Sequence, residues 1–121
     1  MKFAHVTISV IDLDKSISFY RDIVGLPLQS RTPAGPDTEI AFLGDGGTKV
    51  ELICRKGESS VFFSQDISIG FETDSVTELS ALLKANGYET GEIISPNPQV
   101  AFFFISDPNA VKVQFLEHKS V

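Results

Sequence analysis

The chain has few residues that could cross-link it or hold a structural metal. Its 121 residues include one cysteine, Cys54, and two histidines. A single cysteine cannot form an internal disulfide and is typical of a protein from a reducing compartment. A structural zinc site takes about four cysteine or histidine ligands, so this composition excludes a site of the zinc-finger kind. The fold must therefore depend on its hydrophobic core.

Long apolar runs and an excess of positive charge are also missing. No run approaches the roughly 20 apolar residues that span a bilayer, and no basic-then-apolar leader is present. Ten Lys and Arg against 16 Asp and Glu give a net charge of −6, which leaves no basic patch for phosphates. We therefore expect a cytoplasmic protein that binds neither membranes nor nucleic acid. Its length predicts a single domain over residues 1–121.

Residues 4–10 alternate between apolar and polar side chains, which predicts a strand within Lys2–Val10. Its polar face carries His5, Thr7 and Ser9. A lone histidine on such a face is more often solvated than functional. It becomes a candidate ligand or base only if that face lines a cavity.

The pattern after this strand occurs twice. First comes an amphipathic helix with Asp12 as its predicted N-cap and Gly25 as its stop, followed by strands at Leu28–Thr32, Thr38–Leu43 and Thr48–Cys54. The second round predicts a strand at Asp66–Thr73, a helix opened by the capping box of Ser75 and Glu78, and strands at Tyr88–Ile94, Gln99–Ile105 and Val111–Glu117.

The two rounds predict an α+β fold of two tandem βαβββ modules, at about residues 1–57 and 66–121. A helix covers one face of a sheet only, so we expect a curved mixed sheet with its helices outside. An offset of 63 residues relates His5 to Ser68 and Glu51 to Gln114. The concave face would then be lined by His5, Thr7, Ser9, Glu51, Ser68, Glu72 and Gln114. Between the modules, Arg55–Gln65 is either a plain connection or a flap over a ligand.

Three predictions concern loops and single residues. Cys54 shares strand parity with Val50 and Leu52, which predicts a small core residue. In the turn Asp107–Ala110, Asn109 is expected to tolerate the left-handed backbone. The glycine cluster at residues 44–47 joins two strands and opens no helix, so it is not a phosphate-binding loop.

Several segments resemble the vicinal oxygen chelate superfamily, which includes glyoxalase I, bleomycin-resistance proteins and extradiol dioxygenases. The resemblance covers almost the whole chain. It rests on His5–Val10 leading into Asp12–Tyr20 and Val24–Leu26, on Val50–Leu52, and on Asp107–Asn109 followed by Val113–Phe115. In enzymes of that family, four side chains on the concave face hold a divalent metal. The resemblance places His5, Glu51, Ser68 and Gln114 at those positions.

The second module departs from the family's usual ligand set. Ser68 stands where the pattern has His, and Gln114 stands where it has Glu. An open metal site needs about three good protein ligands, whereas a neutral amide oxygen is a weak ligand and a serine hydroxyl a poor one. Two alternatives stay open: one divalent metal such as zinc, nickel or manganese on His5, Glu51 and Gln114, or a degenerate site without metal. His118, near the chain end, is expected at the surface.

The resemblance implies two functions. In the first, the protein binds a small molecule in its groove without metal, like the bleomycin-resistance proteins, and we favour this function because it asks less of Ser68 and Gln114. The alternative is a metal-dependent lyase or isomerase of the lactoylglutathione lyase type, with Glu51 moving a proton. The expected ligand contacts are Thr7, Ser68, Glu72, Phe102 and Phe104, unless the phenylalanines are core. The acidic Glu51 and Glu72 favour a cationic ligand, and a symmetric homodimer is predicted.

Overall fold

The computed structural model describes residues 1–119 of the chain, which fold into strands and helices in the predicted order. A π-helical segment, Phe19–Ile23, continues the first helix. The elements are β1 (His5–Val10), α1 (Leu13–Ser18), β2 (Leu28–Pro33), β3 (Thr38–Leu43), β4 (Lys49–Arg55), β5 (Ile69–Glu72), α2 (Val76–Ala85), β6 (Ile94–Asn97), β7 (Val100–Ser106) and β8 (Lys112–His118). Across these residues, no helix is long and apolar enough to cross a membrane.

The chain divides into two compact units, Met1–Phe62 and Phe63–Val121. Each contains a four-stranded mixed sheet, with strand order β1-β4-β3-β2 in the first unit and β5-β8-β7-β6 in the second. The first strand of each unit is parallel to the last, and the other neighbours are antiparallel. This shared topology confirms the predicted α+β fold of two βαβββ modules.

The strand register repeats between the units at the predicted offset. Thr7 is the partner of Glu51 in the β1–β4 pair, and Gly70 is the partner of Gln114 in the β5–β8 pair. Positions 70 and 114 follow positions 7 and 51 by the same 63 residues. Because side chains alternate along a strand, this register gives corresponding residues the same face in each sheet.

One face of each sheet packs on its own helix. Helix α1 contacts β3 and β4, and α2 contacts β7 and β8. The apolar parity of the strands is buried, including Ile8 and Leu52 in the first unit and Phe103 and Val113 in the second. The opposite parity is half-buried or exposed. We call this second side the helix-free face of each sheet.

The helix ends largely follow the predicted signals. Asp12 Oδ1 accepts a hydrogen bond from Lys15 N at 3.1 Å, and Ser75 Oγ accepts one from Glu78 N at 3.2 Å. The first helix ends before Gly25, whose φ is 87°, as predicted, but it is α-helical only to Ser18 and π-helical over Phe19–Ile23. Phe19 and Tyr20 in the π-helical segment are both buried.

Several predicted strand limits were wrong, most clearly that of Tyr88–Ile94. Residues 88–93 form no strand, and β6 begins only at Ile94. The segment meets β7 through Gly91 N, which donates to Phe104 O at 2.9 Å. Glycine and glutamate are poor strand formers, and they outweigh the apolar residues here. The first strands of both modules are also shorter than predicted, so Ser68 lies just before β5.

The turn between β7 and β8 is closed by a buried carboxylate. Asp107 is 5% exposed, and its Oδ1 accepts hydrogen bonds from Asn109 N at 2.7 Å and Val111 N at 2.9 Å. The left-handed residue is therefore Ala110, with φ 66°, and not Asn109 as expected. Elsewhere, Cys54 is half-buried, not fully in the core, and its Sγ donates to Ile11 O at 3.5 Å.

The left-handed backbone of Ala110 predicts that Ala110→Gly stabilises the protein. Alanine in this conformation is destabilised by about 1–2 kcal/mol, which glycine avoids. Glycine loses more chain entropy on folding, and that loss cancels part of the gain. We expect the free energy of unfolding in urea to rise by about 0.5–1 kcal/mol. Ala81→Gly, at an exposed position inside α2, is the control and should lower it by about 1 kcal/mol. A loss of stability in Ala110→Gly would contradict the assigned strain.

Candidate functional site

The helix-free face of the first sheet carries a polar cluster of three side chains. The Thr7 hydroxyl donates to Glu51 Oε1 at 2.5 Å, and His5 Nε2 lies 3.6 Å from the same oxygen. The Glu51 side chain is 14% exposed and that of His5 is 40% exposed. The cluster forms because β1 is parallel to β4, which brings His5 and Thr7 beside Glu51. It presents a half-buried carboxylate held by two neighbours.

The imidazole of His5 has a second neighbour on β3. Its ring meets that of Phe42 edge-to-face, with centroids 5.6 Å apart. Phe42 is also the register partner of Glu51 in the β3–β4 pair. His5 is therefore positioned between an aromatic edge and a carboxylate, an arrangement that restricts its orientation.

The corresponding place in the second sheet has different chemistry. Gly70 stands where the first unit has Thr7, and Gln114 stands where it has Glu51. A Cβ atom at Gly70 would lie 3.1 Å from Gln114 Oε1, so the amide extends over the glycine. The second unit thus has neither the hydroxyl donor nor the carboxylate of the first.

The other two polar residues predicted in the second module lie at its surface. Ser68 is exposed and precedes β5. Glu72 is exposed and its Oε1 lies 2.8 Å from His118 Nδ1, in a pair whose side chains are 63% and 65% exposed. Glu72 is therefore engaged by His118 and not directed at a separate group.

Two phenylalanines of β7 lie on the helix-free face of the second sheet. Phe102 and Phe104 alternate with the buried residues of β7 and are themselves half-buried. Their rings meet edge-to-face with centroids 5.7 Å apart. Phe104 is also the register partner of Gln114. Phe103 is fully buried and is a core residue, whereas Phe102 and Phe104 are not.

A pocket of about 460 Å³ opens beside Phe104 in the second unit. It is lined by Gln65, Tyr88, Glu89, Thr90, Gly91, Phe104, Ile105, Ser106 and Lys112. The sequence analysis named Phe104 as a ligand contact and placed Gln65 in the possible flap Arg55–Gln65, but it singled out none of the other lining residues. Lys112 could have been found, because it has the same strand parity as Gln114. The pocket wall formed by residues 88–91 could not have been found from the sequence, because that segment was predicted as a strand.

The donors within either unit do not fit a resident divalent metal. The structure brings His5 and Glu51 together, whereas Gln114 and Ser68 belong to the second unit. In the part of the chain that is described, no group of three His, Cys, Asp or Glu side chains could hold a metal ion. Two good donors are fewer than the roughly three that an open site requires, and Glu51 Oε1 already accepts the Thr7 hydroxyl.

Comparison with known proteins decides the family. Residues 2–115 match the model of the Glyoxalase/Bleomycin resistance protein/Dioxygenase superfamily. The chain belongs to this superfamily. This finding confirms the resemblance seen in the motifs around His5 and Val113.

Individual relatives agree with this assignment. The lactoylglutathione lyase of Haemophilus influenzae is 31% identical, over 99% of this chain and 95% of that protein. The trypanothione-dependent glyoxalase I of Leishmania major is 26% identical with a TM-score of 0.79, over 97% of this chain and 86% of that one. A glyoxalase family protein from Bacillus cereus shares the fold at a TM-score of 0.84 and 20% identity, over 99% and 95% of the two chains.

The half-buried carboxylate predicts that Glu51→Leu increases stability. Partly desolvating a charge is unfavourable, and a leucine of similar size fills the same space without that cost. We expect the free energy of unfolding to rise by about 1 kcal/mol, measured by urea denaturation at pH 7. Glu39→Leu, which breaks the exposed pair with Arg31 at 2.8 Å, is the control and should change it by less. A clear loss of stability in Glu51→Leu would show that the cluster serves the fold.

Proposed function

We propose that this superfamily member binds a small organic molecule against the helix-free face of its second sheet, without a resident metal. The observation that carries the proposal is the half-buried pair of Phe102 and Phe104, turned away from the core beside a pocket of about 460 Å³. Small-molecule sites are typically concave, of roughly 300–1,000 Å³, and lined by aromatic side chains with a few polar groups.

A polar group beside the two rings supports such a role. Gln114 offers an amide beside Phe104, which suits hydrogen bonding to an organic ligand better than it suits a metal. As the sequence predicts, we expect the protein to act in the cytoplasm as a homodimer.

An uncharged planar aromatic compound tests the proposal directly. On titration of ¹⁵N-labelled protein with 2-naphthamide, we expect amide shifts to concentrate at Phe102, Phe104 and Gln114. Phe104→Leu should weaken binding about five- to tenfold, because it removes the ring face. Phe62→Leu is the matched control, since Phe62 is 91% exposed and belongs to no strand of the second sheet. Shifts confined to other parts of the protein, or an equal loss in the control, would contradict the proposal.

A second candidate function is a metal-dependent lyase of the lactoylglutathione lyase type. It is favoured by the proximity of His5 and Glu51, which matches half of the family's ligand set, and by the Haemophilus influenzae relative. It requires donors from the second module, where Ser68 and Gln114 are weak ligands. On this reading the metal site of an ancestral lyase has lost two of its four ligands.

Restoring the two ligands tests that candidate. We expect the wild-type protein to bind zinc, nickel and manganese weakly in calorimetric titrations. Ser68→His combined with Gln114→Glu should increase metal affinity by at least 100-fold, on the order expected for regaining an imidazole and a carboxylate, with each single variant in between. Tight binding by the wild-type protein, found also by elemental analysis after purification without chelator, would favour the lyase. No gain in the double variant would show that these positions do not complete a site.

A further inference from the structure

We propose that the pocket of the second unit selects a ligand that carries a carboxylate, which binds the Lys112 ammonium while a planar apolar body lies against Phe104. This inference rests on the proposed function and names the ligand class. It reverses the sequence-based expectation of a cationic ligand, because the two carboxylates behind that expectation already have partners. Glu51 accepts from Thr7 beside His5, and Glu72 is paired with His118.

Lys112 lies at the pocket without a carboxylate partner. It forms no ion pair with any of residues 1–119, although it is half-buried on the helix-free face. Its Nζ lies 4.5 Å from the centroid of the Phe104 ring. The cation–π contact holds the ammonium at the pocket wall, with one side of the ammonium facing the Phe104 ring. An ammonium has three donors, so hydrogens remain for an anionic oxygen.

A serine lies opposite Lys112 on the neighbouring strand. Ser106 is directly opposite Lys112 in the antiparallel β7–β8 pair, and both residues line the pocket. Side chains directly opposite in such a pair share a face, with Cβ atoms about 4.5–5.5 Å apart. One carboxylate can therefore accept from the Ser106 hydroxyl and the Lys112 ammonium together. Charge-assisted hydrogen bonds of this kind are roughly twice as strong as neutral ones.

Two sources of negative charge repel an anionic ligand and limit its affinity for the pocket. Glu89 also lines the pocket, but it is exposed, so water and salt screen its charge. The net charge of −6 repels anions at long range and slows their approach. Selection must come from contact with the half-buried Lys112, where the local dielectric is lower and screening is weaker.

The test compares two probes that share one ring system, 2-naphthoate and 2-naphthamide, by calorimetry at pH 7. We expect the wild-type protein to bind the carboxylate at least about tenfold more tightly than the amide. Lys112→Met keeps an apolar stem beside Phe104 and should bring the affinities for 2-naphthoate and 2-naphthamide to within about twofold of each other. Glu89→Gln should strengthen 2-naphthoate binding slightly.

Lys84→Met provides the matched control, since Lys84 is exposed on α2 and does not line the pocket. It should leave the preference for 2-naphthoate intact. An equal loss in this control would assign the effect to overall charge and overturn the inference. Equal binding of both probes by the wild-type protein would also overturn it and leave the proposed function standing. Binding of neither probe would overturn both.

Discussion

The parallel pairing of the first strand with the last strand in each unit is the constraint on which the rest of the site depends. More than a third of the chain separates the two partners within a module, yet the pairing puts Thr7 beside Glu51 and Gly70 beside Gln114. Side chains alternate along a strand, so a slip by one residue would turn Glu51 into the core and expose Leu52. Because the apolar side chains of each strand must be buried under the helix, the alternate polar side chains are fixed on the opposite face.

The two units share one topology but carry different side chains at corresponding positions. The first unit holds a carboxylate with a threonine hydroxyl and an imidazole, whereas the second has an amide lying over a glycine. Gly70 removes the side chain that would crowd Gln114, and with it the donor that would orient a carboxylate there. In the second unit Phe102 and Phe104 form an edge-to-face pair, and the ammonium of Lys112 lies over Phe104.

The charged residues of the two sheets show how local an electrostatic environment is. An acidic chain with Glu51 and Glu72 on the polar strand parity predicts a preference for cations. The structure pairs Glu72 with His118 at the surface, and Glu51 Oε1 accepts the Thr7 hydroxyl. The charge that does remain available on the second sheet is that of a half-buried lysine. Electrostatic preference is local, because a few ångströms and partial desolvation outweigh a distant net charge.

The sequence alone determined the order of elements, both N-caps, the 63-residue repeat and the face on which His5, Glu51 and Gln114 lie, because alternation and capping are local properties. Only the tertiary structure decided that Thr7 engages Glu51, that Glu72 meets His118, and that residues 88–91 form a pocket wall instead of a strand. Strands that are distant in sequence set these contacts, and no local pattern records the partner of a side chain across a sheet. For the same reason the contact of Lys112 with Phe104 and its position opposite Ser106 appear only in the structure.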